Sequence, residues 1–191
     1  QQAYDVSVER VLADIGILCA TGATTTIYPT NTAEECAYII QDSESRIVFA
    51  ENEEQVDKLV EQRDNLPSVE KVVVFDGHAG HDGWVITLDS LRALGQAEHA
   101  KSPDAYEKRI QSVQPQHLAT LIYTSGTTGR PKGVELTQDC WVFEAEAMDA
   151  MGSMAATDRQ LLFLPMAHVF AKVLEVAIIR MGIPTAIDGS I

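Results

Sequence analysis

Basic residues are scarce. The 191-residue chain carries 14 Lys and Arg against 28 Asp and Glu, a formal net charge of -14. Neutralising phosphates takes a basic excess, so neither nucleic acid nor an anionic lipid surface is expected as a partner. Cysteine is scarce too: Cys19, Cys36 and Cys140 are odd in number, far apart and outside any CxxC pattern. They offer no disulfide framework and no metal pattern, so a reducing compartment is expected, with the thiols acting as small buried hydrophobes. There is no long uninterrupted apolar run. The most apolar stretch, residues 163–184, contains His168, Lys172, Glu175 and Arg180, too many polar groups for a membrane span of about 20 residues. The opening QQAYDVSVER lacks the character of a signal peptide. A cytoplasmic protein without a transmembrane segment is expected, peripheral membrane contact being left open. No internal repeat or low-complexity block stands out.

What is present is a globular composition, 46% hydrophobic and 22% charged, with length for one ordinary domain or one and a part. The first third alternates helical and extended patterns. Val8–Ala20 predicts a helix and Thr24–Tyr28 a strand. Thr32 followed by Glu35 is a capping-box signature, and Ala33, Cys36, Ala37 and Ile40 then mark one helix face. RIVFA (Arg46–Ala50) and KVVVF (Lys71–Phe75) predict strands. Between them Asn52 suits an N-cap for a helix with Val56, Leu59 and Val60 inward. Strands that alternate with helices over short links, and that are nearly all apolar, imply a parallel sheet covered on both faces. The expected architecture is layered α/β, with parallel-rich sheets flanked by helices. Further on, a strand is expected at Val85–Leu88 and a helix from Asp89 or Ser90. Residues 95–117 are expected to form a polar surface helix between loops, Ala119–Tyr123 a strand, and 125–133 a loop. Val134–Thr137 is expected as a strand, Gln138–Met151 as a helix, Leu161–Leu164 as a strand, His168–Arg180 as a helix and Thr185–Ile187 as a strand.

One segment carries chemistry: Tyr123-Thr124-Ser125-Gly126-Thr127-Thr128-Gly129-Arg130-Pro131-Lys132-Gly133. Its glycines let the backbone turn and approach a ligand without Cβ clashes. Four hydroxyls, and N–H groups exposed in such a turn, suit anionic oxygens. Arg130 and Lys132 add charge. No acidic residue lies between Lys108 and Val134, whereas residues 1–114 carry 20 acids. A carboxylate-free stretch in an acidic protein fits a nucleotide's phosphates, because like charges are kept apart. The segment is not a Walker A loop: Pro131 stands where the second glycine belongs, and a strand follows in place of a helix N-terminus.

The eleven residues resemble the phosphate-binding signature of the adenylate-forming superfamily, which includes acyl-CoA synthetases, nonribosomal-peptide adenylation domains and luciferases. That signature runs aromatic, Thr or Ser, Ser, Gly, Thr or Ser, Thr, Gly, any residue, Pro, Lys, Gly, and every position is met. Phe163-Leu164-Pro165-Met166-Ala167-His168-Val169-Phe170, followed by Lys172, is similar to a later motif of long-chain fatty acyl-CoA synthetases. Ile27-Tyr28-Pro29-Thr30-Asn31-Thr32 resembles an early stretch of the same family. Gln116-His117 departs from it, standing where an acidic pair is frequent.

The resemblance implies an acyl-CoA synthetase-like N-terminal domain, with residues 1–191 a partial AMP-binding domain that lacks the family's later motifs and its C-terminal domain. It implies ATP and a fatty acid as substrates, coenzyme A as co-substrate, and Mg²⁺ acting with the full-length parent. Thr124, Ser125, Gly126, Thr127, Thr128, Gly129 and Lys132 would hold the ATP phosphates, Lys132 also being the only catalytic candidate. His168 would lie by the acyl and adenylate pocket, or else pack against or cap the helix that it opens. The short chain is expected to be inactive alone and to self-associate through an open sheet edge and uncovered apolar surface. Two other readings stay open: a nucleotide- or pyrophosphate-binding module, and an adenylation domain that loads a carrier protein. Lys172 is read as solvated or salt-bridged to Glu175, one turn away. Trp141, Phe143, Met148 and Met151 are read as core, and His78, His81, Asp76 and Asp82 as a plain Gly-rich loop and not a metal site.

Overall fold

The apolar triplet Val72-Val73-Val74 has no polar face to show water, and all three side chains are buried. It forms the centre of a strand with a parallel neighbour on either side, where each buried Val contributes about 1.5–3 kcal/mol relative to exposure. The structure, a computed structural model, describes residues 7–124, 129–152 and 154–188. Its elements run α1 (Val8–Cys19), β1 (Thr24–Thr25), α2 (Ala33–Asp42), β2 (Ile47–Asn52), α3 (Glu53–Glu61), β3 (Lys71–Asp76), β4 (Val85–Thr87), α4 (Leu88–Lys101), α5 (Ala105–Gln111), β5 (Leu118–Thr124), β6 (Lys132–Thr137), α6 (Gln138–Ala150), β7 (Gln160–Leu162), α7 (Val169–Met181) and β8 (Thr185–Ile187).

The chain divides into two units. In residues 29–111, β2, β3 and β4 form a parallel sheet in the order β2-β3-β4, with Val72 opposite Val48 and Val85. The expected caps are present: Thr32 Oγ1 accepts from Glu35 N–H while Glu35 returns to Thr32 N–H, and Asn52 Oδ1 accepts from Gln55 N–H. Ala33, Cys36, Ala37 and Ile40 are buried, as their spacing requires. Trp84 donates its indole N–H to Val69 O at 2.9 Å, and the Arg63 guanidinium lies 5.0 Å from its ring centre.

In residues 1–28 with 112–191, β1 pairs parallel with β5, and β5 antiparallel with β6. β7 and β8 form a separate parallel pair. Leu162, Met166 and Ala171 are buried, and Val11, Leu164, Leu174 and Ile187 pack against them. Trp141 on α6 donates to Thr120 Oγ1 on β5 at 3.0 Å, and Thr120 lies hydroxyl to hydroxyl with Thr24 on β1 at 3.5 Å.

Several expectations are corrected. β1 is two residues long, because Thr26, Ile27 and Tyr28 lie outside the sheet ahead of Pro29. Residues 95–117 hold the end of the 14-residue α4 and then α5, neither with a buried residue; a helix that is polar all round stays at the surface. Lys132 and Gly133 lie in β6 and not in a loop. On α6, Trp141 and Ala145 are buried with Met148 half-buried one turn on, but Phe143 is exposed, two residues and so about 200° round from Trp141. Met151 lies past the helix end and is exposed. Of the cysteines only Cys36 is buried; Cys19 is half-buried and Cys140 exposed. Burial pushes the Cys36 thiol up, against the opposing charge of Lys58.

Candidate functional site

The hydroxyl-rich segment spans a β-hairpin. β5 enters it and β6 leaves it in antiparallel register, Tyr123 opposite Gly133 and Thr124 opposite Lys132. The first and last residues of the eleven-residue string are thus cross-strand neighbours. A Cβ on Gly133 would stand 3.1 Å from Tyr123 Cζ and 3.3 Å from Leu121 Cδ2, so the tyrosine ring occupies the space a side chain would need. Thr124 and Lys132, paired at the end of the ladder next to the connecting segment, are both exposed. Ser125, Gly126, Thr127 and Thr128 lie outside the described residues. Gly129 has φ 152°, a backbone that residues with a Cβ rarely adopt. The hairpin rests on a buried base, Ala119 and Thr120 on β5, held from β1 and α6 through Thr24 and Trp141.

His168 sits on another element of the same unit, as N-cap of α7. Its Nδ1 accepts from Phe170 N–H at 3.1 Å. A neutral ring that accepts at Nδ1 carries its proton on Nε2, so this exposed side chain keeps one N–H donor to offer. The capping role left open for His168 is therefore realised. Of the described site residues, the structure brings Thr124 and Lys132 together and leaves His168 on a separate helix end.

Lys172 is not solvated. Its side chain is 3% exposed and its ammonium lies between Asp14 of α1 and Glu175 Oε2, the latter at 2.7 Å. Burial, and next the Asp14 charge, push Glu175 up to about 7, against the pull of Lys172. Asp14 escaped the sequence reading, although its position between Val11 and Leu18 on one face of α1 was a signal: a carboxylate in an apolar stripe needs a partner. Lys58 escaped it too. Its ammonium donates to Pro29 O at 2.6 Å and Asn31 O at 3.1 Å, pinning the backbone of the Pro-Thr-Asn turn to α3. At the departure point, His117 Nδ1 accepts from Gln114 N–H at 3.2 Å, and Gln138 and Asp139 at the start of α6 donate to His117 O and Pro115 O. The change thus falls on a turn that caps α6.

In the Gly-rich turn, His78 donates its backbone N–H to Glu53 Oε1 at 2.7 Å, with its ring Nδ1 3.0 Å from the same oxygen. The His78 ring and then its N–H hold the Glu53 carboxyl below its usual range. Among the described residues no group of three His, Cys, Asp or Glu is placed to hold a metal ion.

The AMP-binding enzyme family model matches residues 3–187. The chain belongs to the AMP-binding enzyme family. It is similar to the Xenopus laevis long-chain-fatty-acid–CoA ligase ACSBG2, 34% identical over 89% of this chain and 23% of that protein. Among solved structures it is similar to a Mycobacterium tuberculosis fatty acyl CoA synthetase, with a TM-score of 0.72 and 25% identity over 97% of this chain and 33% of the other. The N-terminal domain of Mycobacterium tuberculosis FACL13 shares the fold, with a TM-score of 0.69 and 24% identity over 97% of this chain and 42% of the other. The chain spans about a quarter of the length of the curated relatives it matches. Within the AMP-binding family frame, no helix of the described residues is long and apolar enough to cross a membrane.

Proposed function

We propose that this chain is part of the N-terminal AMP-binding domain of a long-chain fatty acid–CoA ligase. The ligase joins a fatty acid to ATP, releasing pyrophosphate, and passes the acyl group from the adenylate to coenzyme A. A free carboxylate resists attack because its charge repels nucleophiles, and esterification to AMP removes that charge. The register of β5 and β6 is the observation that supports this reading most, with Thr124 and Lys132 paired across the ladder.

In this reading Thr124, Ser125, Gly126, Thr127, Thr128 and Gly129 wrap the β- and γ-phosphates with hydroxyls and N–H groups. Lys132 places an ammonium against them, where charge develops on the departing pyrophosphate. Holding the Lys132 backbone in the β5–β6 ladder fixes the base of its side chain, so less freedom is lost on binding. His168 offers its Nε2–H to the acyl-adenylate, a positional role. Mg²⁺ would supply further charge neutralisation; the segment from Lys108 to Val134 holds no carboxylate for it, so no step is assigned to an ion here. The parent is expected to act in the cytoplasm, peripheral membrane contact being left open.

The test is ATP–pyrophosphate exchange by the longer protein with a series of carboxylic acids. Exchange driven by long-chain fatty acids supports the reading, whereas exchange only with amino acids moves it to the adenylation domains that load carrier proteins. The 191-residue chain alone is expected to form no acyl-CoA, and thioester formation by it would refute that part.

A further inference from the structure

Asp14, Lys172 and Glu175 form a closed group of two carboxyls around one ammonium, with side chains 8%, 3% and 1% exposed. Fully ionised, the group would bury a net negative charge, which is costly away from water. The hydrogen bonds do not repair this. Lys172 donates to Asp14, a contact across 158 positions of sequence. The same ammonium lies 2.7 Å from Glu175 Oε2, so one cation faces both carboxyls, and Glu175 Oε1 is buried with no hydrogen-bond partner. The Trp141 ring of α6 is centred 6.0 Å from Lys172 Nζ.

We propose that Glu175 holds a proton in the folded chain, and that this one proton sets how firmly α1 is clamped to α7. The neutral carboxyl leaves Lys172 and Asp14 as a balanced pair. Its loss returns a second negative charge to the cluster and sets it against Asp14. The charges acting on Glu175 are Asp14 from α1 and Lys172 from its own helix. On α1, Arg10 lies one turn before Asp14. α6 contributes Trp141, its charged contact with α7 being Asp149 to Arg180 at 3.5 Å, both half exposed. β7, which also packs against α7, carries no ionisable side chain.

The direction of the pH effect follows. The carboxyl is raised to about 7 from an ordinary 4.5. The folded chain therefore keeps a proton that the unfolded chain has released between these values. This stabilisation is complete below 4.5 and is lost as pH rises through about 7. It stands apart from the ligase reading, since it concerns helix attachment alone.

The experiment is urea unfolding of the chain from pH 5 to pH 8, with Glu175→Gln and Asp14→Asn, together with infrared spectra of the carboxylic-acid carbonyl. In the native chain the unfolding constant is expected to rise by up to about tenfold per pH unit in the lower part of this range. Glu175→Gln, a permanent mimic of the protonated side chain, is expected to flatten that rise and to delete one acid carbonyl band present at pH 5 to 6. Asp14→Asn is expected to move the titration of that band to lower pH. Hydrogen exchange in α1, divided by the intrinsic rate, is expected to quicken with pH in the native chain and not in Glu175→Gln. No acid carbonyl band at pH 5 to 6, or pH slopes equal in the native chain and both variants, would overturn the proposal. If Glu175→Gln does not fold, the band and its shift in Asp14→Asn decide the matter by themselves.

Discussion

The cap at His168 and the pocket role proposed for it cannot be separated by one substitution but can by two. Its Nδ1 satisfies the Phe170 N–H at the start of α7, one of the donors that a helix end leaves orphaned. His168→Ala removes the acceptor. The side chain is exposed, so no cavity opens and the loss is that of an N-cap, about 1 kcal/mol. For a chain of this size that corresponds to a fall in Tm of about 2–4 °C. His168→Asn restores a side-chain acceptor of the preferred N-cap type and is expected to recover most of the stability, while discarding the imidazole. Thermal melts of the two variants measure the cap. ATP–pyrophosphate exchange by the longer protein carrying the same substitutions measures the rest: a positional contact with the adenylate predicts that His168→Asn melts like the native chain yet exchanges more slowly. Native stability in His168→Ala would refute the capping argument. Native exchange in His168→Asn would refute the pocket role and leave His168 as a cap alone.

Lys132→Ala in the longer protein is expected to weaken ATP binding, read by calorimetry, and to move Tm hardly at all, because the side chain is exposed; unchanged affinity would count against the phosphate grip. Trp141→Phe removes the donor to Thr120 Oγ1 inside the base of the hairpin and is expected to cost about 1–3 kcal/mol in urea unfolding. A smaller loss would mean that Thr120 finds another partner. Self-association of the chain alone is expected from large apolar side chains at its surface, among them Phe143, Met151, Phe170 and Ile179, and a monodisperse monomer in light scattering would show that these residues do not suffice.

Local signals alone determined much of this protein. The capping box at Thr32, the Asn52 cap, the buried face of α2 and the Val72–Val74 strand each depend on residues within a turn or two of one another, so their order along the chain already states the contact. The Thr-Ser-Gly-Thr-Thr-Gly string, too, carried its expectation of a turn suited to anionic oxygens in its own residue types. The tertiary structure alone decided the rest. That Lys132 belongs to a strand depends on Thr124 being its antiparallel neighbour. The buried state of Lys172 depends on Asp14, 158 residues away and on another helix. Phe143 ended outside because one face of α6 was taken by Trp141 and Ala145. Periodicity states which residues share a face, but which face meets the core, and which distant charge comes to meet a buried one, is settled only when the elements pack.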